Sequence, residues 1–346
     1  MDIIESLRLL CESTAPSGFE HRVADLAAQV LEPYVDEVYV NHMNNVIGVI
    51  RCGKKDAKKL MLVAHIDEIG LMVTGHDEGQ LRFTNVGGVD RRMLPSREVT
   101  VLTEPPLFGV IGTVAPHVLT EAQRNESIPM EDLRIDVGLT QEQAVEAVPV
   151  GTPVSFRTEL FTMGEDTVVS KSMDDRSCFV SLCITAELLK DRKLPWDVYI
   201  VGSACEELGY RGAIPAAYGI DPDVAIAVDV CHAWTPDVKP QNNVSELAEG
   251  PVITMGPGAC PAVTRSLKRV GKEHRIPFQM AVQPRAGGTD AAGIQIIRDG
   301  VAVETVSLPL RYMHTPLELG SITDMKLLGA LLAEFAVDPG EEVLSC

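Results

Sequence analysis

A chain of 346 residues with 30 Lys and Arg against 49 Asp and Glu carries a formal charge of −19. That balance repels phosphate backbones and anionic lipid, so nucleic-acid and membrane-surface partners are not expected. With 45% hydrophobic and 23% charged residues the composition is globular, not disordered or fibrous, and the length suggests about two domains.

The N-terminal run DIIESLRLL has apolar residues at helical spacing until Pro16–Gly18 breaks it. FEHRVADLAAQVLEPYV reads as a second amphipathic helix, NNVIGVIRCG as a strand, and Lys59 to His65 (KLMLVAH) as a buried strand. From about Gly70 the texture changes: LMVTGH, LRFTNVGG, EVTVLTE, GVIGTV and VGTPVSF are short β-rich runs between Gly, Pro and acidic turns. After Thr162 the α/β alternation returns, with CFVSLCITAELLK as helix and DVYIVGSA and DVAIAVDV as strands. AVTRSLKRVGKEH is a further helix, AVETVSLPL a strand, and SITDMKLLGALLAEFA a final helix opened by a capping-box-like Ser321…Asp324. The simplest account is one α/β sandwich, residues 1–69 plus 162–346, split by a β-rich insertion, residues 70–161.

No apolar run approaches the ~18–20 residues of a membrane span. Asp2 and Glu5 stand where a secretory signal would be basic. The eight cysteines are scattered without a CxxC pair, which fits reduced thiols of a cytoplasmic protein; Cys205 and Cys231 read as packing residues.

Chemistry gathers at strand ends. His65 closes a buried strand and shares a side of the extended chain with Asp67, so a metal on His65 with Asp67 behind its second ring nitrogen is a coherent pair. Asp174-Asp175-Arg176 precedes a helix; one carboxylate could bridge two cations while Asp175 and Arg176 hold the loop. Glu206-Glu207 follows another buried strand, where cations would compensate the carboxylates. One glutamate can ligate while the other acts as general base, and the spacing does not say which. Asp229 ends a third strand and His314 lies just past a fourth. In open α/β sheets ligands collect at the carboxyl ends of strands.

Two imidazoles with carboxylates and no thiolate cluster suit Zn²⁺, Co²⁺ or Mn²⁺. A shared carboxylate between two such ions, ~3.5–4 Å apart, would lower the pKa of a bridging water toward ~7, as amide hydrolysis requires. HExxH, GxSxG and GxxxxGK[ST] are all absent from the sequence. A glycosidase would leave both histidines idle, and a non-enzymatic scaffold would not need every ligand position filled. Gly287-Gly288-Thr289-Asp290 is a glycine-rich turn that could offer backbone amides to substrate.

AHIDEIGLMV, KSMDDR, EELGYRGA, AVDV and GGTDAAGIQIIRDG…LPLRYMHTPLE, with PSGFE, NVGGVD, GVIGTVAPH and LRIDVG, resemble in order and spacing the dinuclear metallo-aminopeptidases. That family includes the tetrahedral (TET) aminopeptidases and bacterial glutamyl aminopeptidase. The resemblance implies a three-layer α/β/α sandwich of phosphorylase/hydrolase-like type, with a mixed sheet and an inserted small β-barrel. It implies two divalent ions, zinc or cobalt foremost and manganese as a further option. Asp174 would bridge them, His65 and Asp229 would hold one, and Glu207 and His314 the other. Glu206 would be the general base and Asp67 would orient His65. Gly288, Thr289 and Arg311 are candidates for substrate binding, with Arg285 a second basic candidate. Short peptides would be the substrates. The insertion would build a homo-oligomer, a dodecamer built from dimers, in the cytoplasm. Ser177-Cys178 and LPSREV depart from the family pattern without touching a proposed ligand.

Overall fold

The computed structural model describes residues 1–121, 126–238, 244–285 and 287–346. Two helices open the chain, α1 (Ile3–Cys11) and α2 (His21–Leu31). The Asp2 side chain caps the first by accepting the N–H of Glu5 at 3.1 Å, as expected at an N-terminus short of intrahelical acceptors. Three strands follow, β1 (Glu37–Val40), β2 (Val46–Ile50) and β3 (Lys59–His65).

Strands β4 (Gly70–Asp77), β5 (Gln80–Val86), β6 (Glu98–Val101), β7 (Leu107–Gly112), β8 (Arg134–Asp136) and β9 (Pro153–Phe156) close an antiparallel barrel in the order β4-β5-β8-β7-β6-β9. Leu71, Val73, Leu81, Phe83, Val99 and Ile135 fill it. The barrel also carries helix α3 (Gln141–Ala147), which the periodicity of the sequence did not call for. Thr140 and Gln143 form a reciprocal capping box at its start.

The remaining elements return to the sandwich: β10 (Phe161–Met163), β11 (Thr167–Ser170), α4 (Met173–Leu189), β12 (Asp197–Ser203), α5 (Ala213–Ile220) and β13 (Val224–His232). Then come β14 (Val252–Met255), α6 (Pro261–Glu273), β15 (Gln279–Val282), α7 (Asp290–Ile294), β16 (Ala302–Arg311), β17 (Glu318–Ser321), α8 (Ile322–Val337) and α9 (Glu341–Leu344). Phe161, the last residue of the expected insertion, already belongs to the large sheet. Ser321 caps α8 by accepting the N–H of Asp324. The Asp324 carboxylate turns away to the N–H groups of Ala248 and Gly250, so only half of the anticipated box forms.

The large sheet runs β1-β2-β12-β3-β13-β16-β17-β11-β10, with β14 on β16 and β15 on β14. Its centre, β12-β3-β13-β16, is parallel and its flanks are antiparallel, a mixed sheet. Side chains alternate across it as a strand's period of two dictates. Leu60 and Leu62 pack with Leu7, Leu10, Phe179, Leu267 and Leu328 on one face. Met61 and Val63 pack with Ala213, Ala217 and Ile294 on the other. The result is the three-layer α/β/α sandwich carrying a small barrel. Because Ser203 pairs with His65 across β12 and β3, the segments leaving these strands start level with each other at one edge.

Candidate metal centre

Local structure explains how each site residue reaches that edge. Past β12 the chain bends at Cys205, whose φ of 53° is left-handed, and its N–H donates to the buried Glu20 carboxylate at 3.0 Å. The bend turns Glu206 and Glu207 into the cleft. Asp229 lies inside β13, not at its end, since that strand continues to His232. His314 follows β16 in a tight turn with φ of 62°. Asp174 and Asp175 interrupt the start of α4 with non-helical backbone, so the regular helix begins at Arg176 and the two carboxylates leave its axis.

The central finding is the position of Asp174. Its Oδ1 lies 3.0 Å from Nε2 of His65 and its Oδ2 lies 3.3 Å from Nε2 of His314. One carboxylate thus spans two imidazoles that are 249 positions apart in the chain. Oε1 of Glu207 is 3.5 Å from the same His314 nitrogen, and Oε2 of Glu206 is 3.9 Å from Nε2 of His65. Among the described residues, two groups have ligand atoms mutually within 4.8 Å: His65 with Asp174 and Glu207, and His65 with Asp175 and Asp229.

Asp67 sits behind this shell and is fully buried. Its Oδ1 accepts the N–H of Glu206 at 3.0 Å and its Oδ2 that of Glu207 at 3.2 Å. Nδ1 of His65 stands 3.5 Å from Asp67 Oδ1, long for a hydrogen bond. Asp175 does what its neighbour cannot: Oδ2 accepts the main-chain N–H of His65 at 3.1 Å. Arg176, also buried, donates to the carbonyls of Ile66, Leu10 and Ser13. This pair ties the loop after β3 to α1 and α4.

The electrostatics point to missing positive charge. Burial, then repulsion from Asp229, Asp290 and Asp67, pushes Glu206 up to about 10. Burial and Asp174 push Glu207 up to about 7, and burial with Asp174 pushes Asp229 up. His314 is raised to about 9, chiefly by its hydrogen bond to Asp174. Burial opposes ionisation of Asp174 as well, yet the two imidazoles hold it below the usual carboxylate range. So many carboxylates in one buried place are stable together only with cations or protons between them. Nδ1 of His65, Oε1 of Glu206 and Oδ1 of Asp175 have no hydrogen-bond partner among the described residues. The imidazoles of His65 and His314 and the carboxylates of Asp174, Glu207 and Asp229, gathered on one cleft, are a nitrogen and oxygen donor set that fits divalent ions of the zinc, cobalt and manganese kind.

An open cleft of about 650 Å³ lies over the cluster, lined also by Gly88, Tyr210, Gln283, Gly288, Thr289 and Met313. Gly288 and Thr289 are thus at the cleft, whereas Arg311 is not among its lining residues and donates to the carbonyl of Trp234 at 2.8 Å. Arg285 lines a smaller neighbouring hollow. Cys231 borders the cleft, and burial pushes its thiol up to about 12; burial and Glu20 do the same for Cys205. Neither is a thiolate near neutrality. Sequence reasoning gave no role to Gly87 and Gly88 of the barrel. A Cβ on Gly87 would meet Oε2 of Glu207 at 2.9 Å, so the barrel's β5–β6 connection presses directly on the cluster.

The sequence profile of the M42 glutamyl aminopeptidases matches residues 44–331. A lysyl aminopeptidase of Pyrococcus furiosus is 36% identical over 340 residues, covering 95% of this chain and 96% of its own length. The solved aminopeptidase of the archaeon Desulfurococcus kamchatkensis superposes with a TM-score of 0.91 at 35% identity, over 99% of this chain and 97% of that one. A TET1 peptidase of Pyrococcus horikoshii, which can assemble into a tetrahedron or a large octahedral shell, gives 0.84 at 31% identity, over 97% and 100%. The chain belongs to the M42 glutamyl aminopeptidase family and is a hydrolase of the aminopeptidase class.

Proposed function

We propose that this aminopeptidase cleaves N-terminal residues from short peptides with two divalent ions, zinc or cobalt foremost and manganese as a further option. His65 and Asp229 would hold one ion, Glu207 and His314 the other, and Asp174 would lie between them. The reading is carried by the two oxygens of Asp174 facing the two imidazoles at 3.0 and 3.3 Å. Such ions polarise a carbonyl and make water acidic enough to attack it near neutral pH.

The chain's own groups do the rest. Glu206, at the cleft wall, takes the proton of the attacking water and returns it to the departing amine. With ions held by its neighbours, Glu206 would keep its ionised, proton-accepting form. Asp67 fixes the backbone of both glutamates and orients His65, while Gly288 and Thr289 line the path for the peptide.

Assembly and setting belong to the same proposal. Residues 70–161 would be the unit through which copies of this chain join, first as dimers and then as a dodecamer, in the cytoplasm. The TET1 peptidase, which can assemble into a tetrahedron or a large octahedral shell, supports self-assembly in this reading. Among the described residues no helix is long and apolar enough to cross a membrane.

The test is metal-dependent release of amino acids from aminoacyl-anilides by the wild type and by Glu206→Gln. Loss of general-base help should lower kcat by roughly 10²–10⁴ while two ions per chain remain bound. Near-normal turnover in that variant would overturn the role given to Glu206; metal-independent turnover in the wild type would overturn the mechanism.

A further inference from the structure

Glu318 opens β17 and is buried. That strand lies between β16 and β11 in the sheet. Leu319 pairs with Arg311, three residues before His314, and Glu318 pairs with Ser170, four residues before Asp174. The register therefore puts Glu318 midway between the two strands that deliver Asp174 and His314. Its Oε2 accepts the main-chain N–H of Asp174 at 3.0 Å, and its Oε1 that of His314 at 2.9 Å.

Neither N–H has a place in regular structure. Asp174 precedes the regular part of α4, where donors lack intrahelical acceptors, and His314 sits in a left-handed turn beyond the β16 ladder. Buried main-chain donors of this kind need a partner. A single carboxylate serves both and so fixes one backbone against the other. Asp67 likewise accepts two main-chain N–H groups, those of the consecutive Glu206 and Glu207.

We propose that Glu318 is a positioning residue of the hydrolytic site, setting the spacing between the shared carboxylate of Asp174 and the imidazole of His314. The proposal rests on the two-metal reading above. Groups that orient metal ligands from behind contribute about 10–100-fold in affinity or activity. In Glu318→Gln one oxygen still accepts, but the amide nitrogen points a donor at the other N–H.

The test uses the full chain, stripped of metal and titrated with Co²⁺ by calorimetry, with the visible absorption of the bound ion and the kinetics followed alongside. The wild type should take up two ions. Glu318→Gln should hold one of them about 10–100-fold more weakly with an altered absorption spectrum. Its kcat should fall while KM stays near the wild-type value, and the deficit should shrink in excess Co²⁺. Should Glu318→Gln fail to fold, Glu318→Asp, which keeps the charge but withdraws the carboxyl by one methylene, carries the same expectation. Two ions in the wild type beside unchanged affinity, spectrum and kcat in the variant overturn the proposal alone. A wild type that binds no Co²⁺ overturns the two-metal reading and the proposal with it.

Discussion

Gly88 of the barrel lies against the imidazole of His314 in the sandwich, so closely that a Cβ on Gly88 would stand 2.6 Å from Nδ1 and 2.9 Å from Cε1. Real Cβ atoms do not tolerate such contacts, so Gly88→Ala must push the ring or the loop aside. Displacements of about 1 Å in a reacting constellation cost on the order of 10²-fold. We expect kcat/KM to drop by about that factor while the melting temperature barely moves, because the loop is at the surface of the cleft. Gly75→Ala, in the same barrel with only Arg82 Cδ at 3.9 Å, is the control and should leave turnover unchanged. Equal kinetics in the two variants would show that the barrel does not shape the site.

Asp67→Asn keeps size and replaces one acceptor oxygen by a donor. One of the N–H groups of Glu206 and Glu207, now held at 3.0 and 3.2 Å, would then face an NH₂. The bend carrying both glutamates should loosen, and activity should fall about 10–100-fold. Steady-state kinetics at saturating metal read the loss. Full activity in this variant would leave Asp67 a packing residue.

The legible parts of the site are those announced by local pattern. His65 and the Glu206-Glu207 pair stand directly behind buried apolar runs, and such runs end at the sheet edge where ligands collect. Asp174 is harder, because an acidic residue before a helix is ordinary; only the three-dimensional meeting of its two oxygens with two distant imidazoles separates it from a cap. Glu318 was equally hidden: it is one acidic residue in HTPLE, and its use depends on β17 lying between β11 and β16. Gly87 and Gly88 belonged to a family signature without a role, since close approach to another segment leaves no mark in the sequence. Helix α3 was missed although Thr140 and Gln143 spell its cap, because the surrounding β texture outweighed a seven-residue helix.

Trp196 anchors the sheet to α8 from below the site. It is fully buried, its ring centroid lies 5.9 Å from that of Phe335, and its Nε1 donates to the carbonyl of Ala336 at 2.9 Å. Trp196→Ala should cost about 3–5 kcal/mol. Trp196→Phe retains most of the packing but leaves the carbonyl unpaired, which costs about 1–3 kcal/mol. Urea unfolding of the metal-free chain separates the two, and a Trp196→Phe midpoint equal to that of the wild type would deny the hydrogen bond any weight.

Glu304 gives the fold a pH dependence separate from the cleft. It lies in β16, fully buried, and burial pushes its carboxyl up to about 7 from 4.5 despite hydrogen bonds from Thr264 Oγ1 and the N–H of Thr305. The unfolded chain releases this proton near pH 4.5, whereas the folded chain keeps it until about pH 7. The folded state therefore has its full share of stability below 4.5, loses it between 4.5 and 7, and changes no further above. At 1.36 kcal/mol for each pH unit the loss is of order 3 kcal/mol. Glu304→Gln cannot ionise, so it should resemble the wild type in urea at pH 5 and be the more stable of the two at pH 8. The difference between the two proteins isolates this group, because every other titrating residue is common to both, and a difference that does not grow with pH would mean that Glu304 is ionised in the fold.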